Sequence, residues 1–202
     1  VKKLFLTSSF KDVHEKLYEF TGDLTGKRVT FIPTAGNVEK FNVNIKSGIK
    51  SIEKLGMIVD LLDVSKADNS EIERKILEND IIYISGGNTF YLLQELKKSN
   101  AFEMIKQEVE KGKLYIGESA GSIITSPNIE YIKLMDTIKK APELSDLKGL
   151  ALVEFYTVPH QGNFPFKNAV EKILKTYASE LNLQPISNKE VIVVSGKEVK
   201  II

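Results

Sequence analysis

The residues best suited to chemistry lie in the stretch 114–124, where the apolar run Leu114-Tyr115-Ile116 enters Gly117-Glu118-Ser119-Ala120-Gly121 and small and branched apolar residues follow. That order reads as strand, sharp turn, helix. A serine in a Gly-x-Ser-x-Gly turn sits on a strained elbow, its hydroxyl held out at the top of a sheet. Gly117 and Gly121 suit the elbow because side chains there would collide where the strand folds back onto the helix. The first N–H groups of the helix have no intrahelical partner and point near the same spot. One stretch thus offers a nucleophile for acyl transfer and part of an oxyanion site. A plain strand-to-helix turn of any α/β protein can carry the same pentapeptide, so the rest of the chain has to decide.

A serine nucleophile needs a base within hydrogen-bond reach. The chain has two histidines. His14 falls on the first expected helix, at a solvent-facing position, whereas His160 follows an apolar run and Pro159, at the carboxyl end of a strand, where a catalytic base would have to stand. Gly86 and Gly87 follow another apolar strand, and glycines there let backbone N–H groups approach a substrate oxygen. The acid that would orient the base is less defined. Asp136, between elbow and histidine, is the first choice, with Glu130, Glu154 and Glu190 as alternatives. Glu118, beside the serine, is either a partly exposed charge at the turn or, if it faces the pocket, an attraction for a cationic group such as a free α-amine.

These residues need a scaffold, and the chain supplies one. Apolar runs at residues 4–7, 28–33, 57–62, 80–84 and 114–118 read as strands, nearly continuous in hydrophobicity as a sheet buried on both faces requires. Residues 34–37 read as a loop of small residues. Helical spacing marks residues 13–20, a long segment to about Leu55, residues 69–77, which Asn69 or Ser70 can cap, then residues 89–98 and 102–110. Strand and helix alternate up to the elbow. The expectation is a single α/β domain over residues 1–202, with a mostly parallel sheet, helices on both faces and sites beyond the strands' carboxyl ends. Further on, residues 128–133 read as a strand, 139–152 as loop, 154–158 as a strand, 167–179 as a helix, and 191–194 with 198–202 as a hairpin turning at Ser195-Gly196-Lys197.

Composition narrows the class. The 202 residues carry 28 Lys plus Arg against 27 Asp plus Glu, without a long basic run, which argues against a nucleic-acid partner. Only Arg28 and Arg74 are arginines, and there is no cysteine, so disulfides, zinc–cysteine sites and a cysteine nucleophile are excluded. Two histidines far apart make a poor metal-ligand set, and no cofactor is expected. The opening residues 1–6 are too short for a signal peptide and read as a first strand, and no apolar run is long enough for a bilayer, so the expectation is a cytoplasmic protein.

Three motifs, Gly86-Gly87-Asn88-Thr89-Phe90, Gly117-Glu118-Ser119-Ala120-Gly121 and Pro159-His160, with Leu147-Lys148-Gly149-Leu150 between them, resemble the dipeptidase E family, the α-aspartyl dipeptidases and their relatives. The resemblance covers most of the chain with motif order and spacing kept. It implies a serine peptidase on a sheet similar to class I glutamine amidotransferases, a flavodoxin-like three-layer sandwich, acting on the first peptide bond of a short peptide with a free N-terminus, as a monomer or homodimer. By position it makes Ser119 the nucleophile, His160 the base, and the Gly87 and Ala120 N–H groups the oxyanion donors, with Asn88 and Glu118 near the substrate. Asp136 falls near the aspartate of the family's triad. Some relatives take a glutamate from a turn near the C-terminus. Here that turn reads Pro185-Ile186-Ser187-Asn188-Lys189-Glu190, and Asn188 rather than Glu190 falls at the spot. The aspartyl dipeptidases use an arginine on the helix after the histidine to hold an aspartyl side chain; residues 167–179 hold lysines, Lys167 and Lys172 among them, and no arginine. Lysine lacks the planar fork that grips a carboxylate, so strict cleavage after aspartate is not expected. The alternatives are another serine hydrolase on this sheet, an esterase or a cyanophycinase-like enzyme, or a binding homologue without a working triad.

Overall fold

The computed structural model describes residues 1–40 and 43–202. Its main sheet has seven strands in the order β3-β2-β4-β5-β1-β8-β9. These are β1 (Lys3–Thr7), β2 (Arg28–Ile32), β3 (Ile58–Leu61), β4 (Ile81–Ile84), β5 (Leu114–Glu118), β8 (Val191–Ser195) and β9 (Glu198–Ile201). The first five run parallel to one another, and β8 and β9 close one side as an antiparallel hairpin laid against β1. The α/β class, the mostly parallel sheet and the C-terminal hairpin are therefore as the sequence indicated.

Side chains alternate across the sheet with period two. Leu4, Leu6, Ile82, Ile84 and Tyr115 face a core shared with α4 (Asn69–Glu78), α5 (Thr89–Lys98), α6 (Ala101–Glu110), α7 (Ala120–Ile123) and α8 (Lys167–Tyr177). Phe5, Phe31, Tyr83 and Ile116 face a second core with α1 (Phe10–Val13), α2 (Lys16–Thr21) and α3 (Val43–Lys54). Phe31 stacks on Tyr83 at 4.5 Å between ring centres, and Phe10 meets the same tyrosine edge-on at 5.2 Å. With both faces covered, function is left to the strand ends. β4 and β5 are neighbours in register, Ile84 beside Gly117, so the loops after them emerge side by side.

Several elements differ from the sequence reading. The expected helix at 13–20 is two short helices broken at His14 and Glu15. Residues 34–38 form a 3-10 turn rather than a loop, and the part of the long expected helix at 41–42 lies outside the described residues. Residues 128–133 are not a strand: Glu130–Leu134 is a 3-10 turn, and only Asn128 makes an isolated bridge, to Lys148. The turn forms because Ile129 and Ile132, three apart, bury together while the Tyr131 hydroxyl donates to the Thr157 carbonyl. The strand expected at 154–158 is confined to β6 (Tyr156–Val158), which pairs in parallel with β7 (Leu183–Pro185) as a separate two-stranded sheet. His160 thus leaves a small satellite sheet that brings residues 183–190 alongside.

Candidate active site

Ser119 caps α7 with φ 50° and ψ −105°, a conformation that ordinary side chains avoid. Its N–H is held by the Thr7 carbonyl at 2.9 Å, and its own carbonyl accepts from the N–H groups of Ser122 and Ile123. The flanking glycines are steric requirements. A methyl on Gly121 would run into the Ile84 carbonyl oxygen, and one on Gly117 would lie 2.7 Å from the Gly121 oxygen. Ser122, which sequence reading passed over, ties the elbow to β1: its Oγ accepts from the Thr7 N–H at 2.9 Å and lies 2.8 Å from the carbonyl oxygens of both Thr7 and Gly117.

The strained turn delivers Ser119 Oγ to 2.9 Å from His160 Nε2. His160 is itself in the left-handed region, at φ 67°, and is only 8% exposed. Its backbone N–H donates to Ser8 Oγ at 2.9 Å, and its ring stacks on Phe166 at 4.7 Å. Its Nδ1 lies 2.9 Å from Asn188 Oδ1. An amide oxygen can only accept, so Nδ1 carries the proton and Nε2 presents its lone pair to the serine hydroxyl. Burial holds the imidazole below its ordinary pKa, with the Asn188 bond opposing, which keeps the ring neutral and basic near pH 7.

Asp136 is not at His160. Its Oδ2 accepts from the Thr89 N–H at 2.8 Å and the Thr89 hydroxyl at 2.6 Å, at the start of α5. The bond to Nδ1 is taken by Asn188, because the pairing of β6 with β7 carries the 186–190 turn to the histidine. The other carboxylates weighed for this role lie elsewhere. Glu190 accepts from the Ser187 N–H at 2.8 Å and so shapes the Asn188 turn, Glu130 pairs with Lys133 at 2.9 Å on the surface, and Glu154 is exposed.

Glu118 is neither an exposed charge nor a wall of the main cavity. It is 2% exposed and accepts from the Phe10 N–H at 3.0 Å and the Tyr83 hydroxyl at 2.9 Å, so it clamps α1 beneath the elbow. Burial raises its carboxyl to about 7, with those two bonds and one from the Gly86 N–H pulling the other way. Asn88 lines the cavity, but its side chain is engaged, Oδ1 capping α5 through the Tyr91 N–H at 2.9 Å and Nδ2 donating to the Thr137 carbonyl at 3.1 Å.

Gly87 has φ 145°, and a methyl there would strike the Ala35 carbonyl, so the backbone approach at this point needs glycine. Neither its N–H nor that of Ala120 donates to another atom among the described residues. Ser119 and Gly86 adjoin, since a Cβ on Gly86 would lie 3.2 Å from that of Ser119. Gly86, Gly87 and Ser119 open into a cavity of about 570 Å³ whose charged lining is Glu39, Lys40, Asp136 and Lys140. Lys167 and Lys172 are exposed and outside this lining. The arrangement can hold a carbonyl, attack it from Oγ and relay one proton. Among the described residues no group of three or more histidine, aspartate or glutamate side chains could hold a metal ion, and no helix is long and apolar enough to cross a membrane.

The sequence model of peptidase family S51 matches residues 4–202. An uncharacterized peptidase of Listeria monocytogenes is 52% identical over 98% of this chain and 97% of its own length, and one of Pasteurella multocida is 48% identical over 100% and 97%. Peptidase E of Shewanella oneidensis is 35% identical over 66% of this chain and 53% of its own length. The 1.5 Å crystal structure of a candidate peptidase E protein from Listeria monocytogenes EGD-e superposes with a TM-score of 0.95 at 51% identity, covering 100% of this chain and 98% of that one.

Proposed function

The chain belongs to peptidase family S51, and from that membership we propose that it hydrolyses short peptides at their first peptide bond through an acyl-enzyme on Ser119. The observation that carries the reading is the 2.9 Å contact between Ser119 Oγ and His160 Nε2, made by two residues that both hold positive φ. Strain of this kind costs of order 1–3 kcal/mol per residue and persists where the surroundings over-determine it, commonly at catalytic sites.

In the proposed mechanism Ser119 Oγ attacks the scissile carbonyl carbon while His160 Nε2 takes the hydroxyl proton. The N–H groups of Gly87 and Ala120 receive the oxyanion; one such donor typically contributes about 3 kcal/mol to lowering the barrier. When the tetrahedral adduct collapses, the carbon–nitrogen bond breaks and His160 returns the proton to the departing amine. Water then enters, its oxygen bonds to the acyl carbon as His160 takes one of its protons, and the acyl–Ser119 bond breaks as His160 returns that proton to Ser119 Oγ, giving the free acid and the resting serine. Asn188 keeps the ring in the tautomer this needs, without the negative charge that a carboxylate would add. The test is a panel of dipeptides run beside a panel of simple esters. Turnover of dipeptides that is lost in Ser119→Ala supports the reading; turnover of esters alone assigns the site to an esterase.

A further inference from the structure

Asp136 lies in the cavity with Ser119, yet it does not serve the histidine. Both of its hydrogen bonds, from the Thr89 N–H and hydroxyl, fall on Oδ2, and Oδ1 has no donor among the described residues. Among the described residues none of the cavity's other charges hydrogen-bonds to it: Lys140 is held 2.7 Å from Glu39, and Lys40 is exposed at the rim. Burial pushes the Asp136 carboxyl above its ordinary range and the nearby Glu39 adds to this, while the Thr89 bonds and the more distant charge of Lys140 oppose. A rigidly held, half-buried carboxylate with one idle oxygen therefore faces the space where an acyl group must lie.

We propose that Asp136 Oδ1 accepts the α-ammonium of the residue whose carbonyl Ser119 attacks, so that Asp136 is the residue by which the site reads a free N-terminus. This rests on the reading of Ser119 as the peptidase nucleophile. The α-nitrogen is attached to the carbon next to the scissile carbonyl, so its acceptor has to line the same cavity as Ser119, as Asp136 does. Glu118, the acid next to the serine, is not in this lining and is already engaged by Phe10 and Tyr83.

The test compares two ligands with one skeleton, Ala-Leu and propionyl-leucine, which lacks only the amine. Calorimetry on Ser119→Ala measures binding without turnover. A charge-assisted contact in this setting is expected to favour Ala-Leu by about thirtyfold. Adding Asp136→Asn, whose Oδ1 can still accept both Thr89 bonds, is expected to bring the ratio within about threefold. A ratio near one on Ser119→Ala overturns the proposal with no change made at Asp136, and so does a large ratio that survives Asp136→Asn. If Asp136 instead served the histidine, Asp136→Asn on the active enzyme would lower kcat and leave the binding ratio intact. Failure of the peptidase reading appears separately, as absent Ala-Leu turnover, and does not alter how the binding ratio is read.

Discussion

Replacing Asn188 with aspartate should move the pH dependence of the enzyme upward, and replacing it with alanine should slow it. The wild-type contact is a neutral one, Nδ1–H to an amide oxygen at 2.9 Å. A carboxylate in the same place would put a negative charge about 4 Å from the centre of the imidazolium, and two unit charges at that distance attract by about 4 kcal/mol at an effective dielectric constant of 20. Dividing by about 1.4 kcal/mol per pKa unit gives an upward shift of about three units, and an opposite charge at this range typically shifts a group by about one to three. The sign follows from which form is active. In the proposed mechanism neutral His160 is the base, so activity rises with pH through its pKa, which burial places below the usual histidine value. In Asn188→Asp that rise moves to higher pH, making the variant slower than wild type near pH 6. Above the shifted pKa the variant should be faster, because the imidazolium formed during attack now has a counter-charge. Asn188→Ala leaves a buried N–H unpaired, which costs about 1–3 kcal/mol and slows the reaction by about tenfold to a hundredfold. The assay is the second-order rate of inactivation by a fluorophosphonate between pH 5 and 10, which needs no knowledge of the natural substrate. A limb that stays in place or moves to lower pH in Asn188→Asp, or an unchanged rate in Asn188→Ala, would refute the role given to Asn188.

Other outcomes follow from the same geometry. Glu118, raised from 4.5 to about 7 by burial, stays protonated in the folded state over a range where the unfolded chain ionises. Its contribution is therefore complete below about pH 4.5 and is lost as pH rises through 7, by about 3 kcal/mol; denaturant titrations should show Glu118→Gln flattening this loss, and an unchanged slope would contradict the assignment. Gly121→Ala should destabilise by more than about 2 kcal/mol, because the methyl meets the Ile84 carbonyl; an unchanged denaturation midpoint would contradict that packing. Asp-Leu should show no large advantage over Ala-Leu, since no arginine lines the cavity and Asp136 would repel a second carboxylate; an advantage of about a thousandfold, roughly 4 kcal/mol, would overturn this.

The sheet was legible because its central strands are buried on both faces. Ile81-Ile82-Tyr83-Ile84 and Leu114-Tyr115-Ile116 are apolar without alternation, and such runs followed by glycines admit few readings. The elbow was legible for the same reason, since a methyl at Gly117 or Gly121 has nowhere to go. Residues 128–133 misled because Ile129, Tyr131 and Ile132 fit a period of two or of three about equally well. β7 has only three residues, one of them a proline, and leaves little signal. The partner of His160 could not be found by spacing, because a search for carboxylates overlooks an amide. Asn188 emerged only through the likeness to relatives that use a residue of the same turn. Glu118 was read as either a partly exposed charge or a pocket carboxylate for a cationic group because no local pattern records that Phe10 and Tyr83, far away in sequence, close over it.

The most direct test of the central claim, that Ser119 is a nucleophile activated by His160, is to label the protein with a fluorophosphonate and locate the adduct by mass spectrometry of peptides. The account predicts one adduct, on Ser119, forming quickly in the wild type, slowly in His160→Ala and not at all in Ser119→Ala. Hydrolysis of peptides by a protein whose Ser119 remains unlabelled, or an adduct on another residue that tracks the loss of activity, would contradict it.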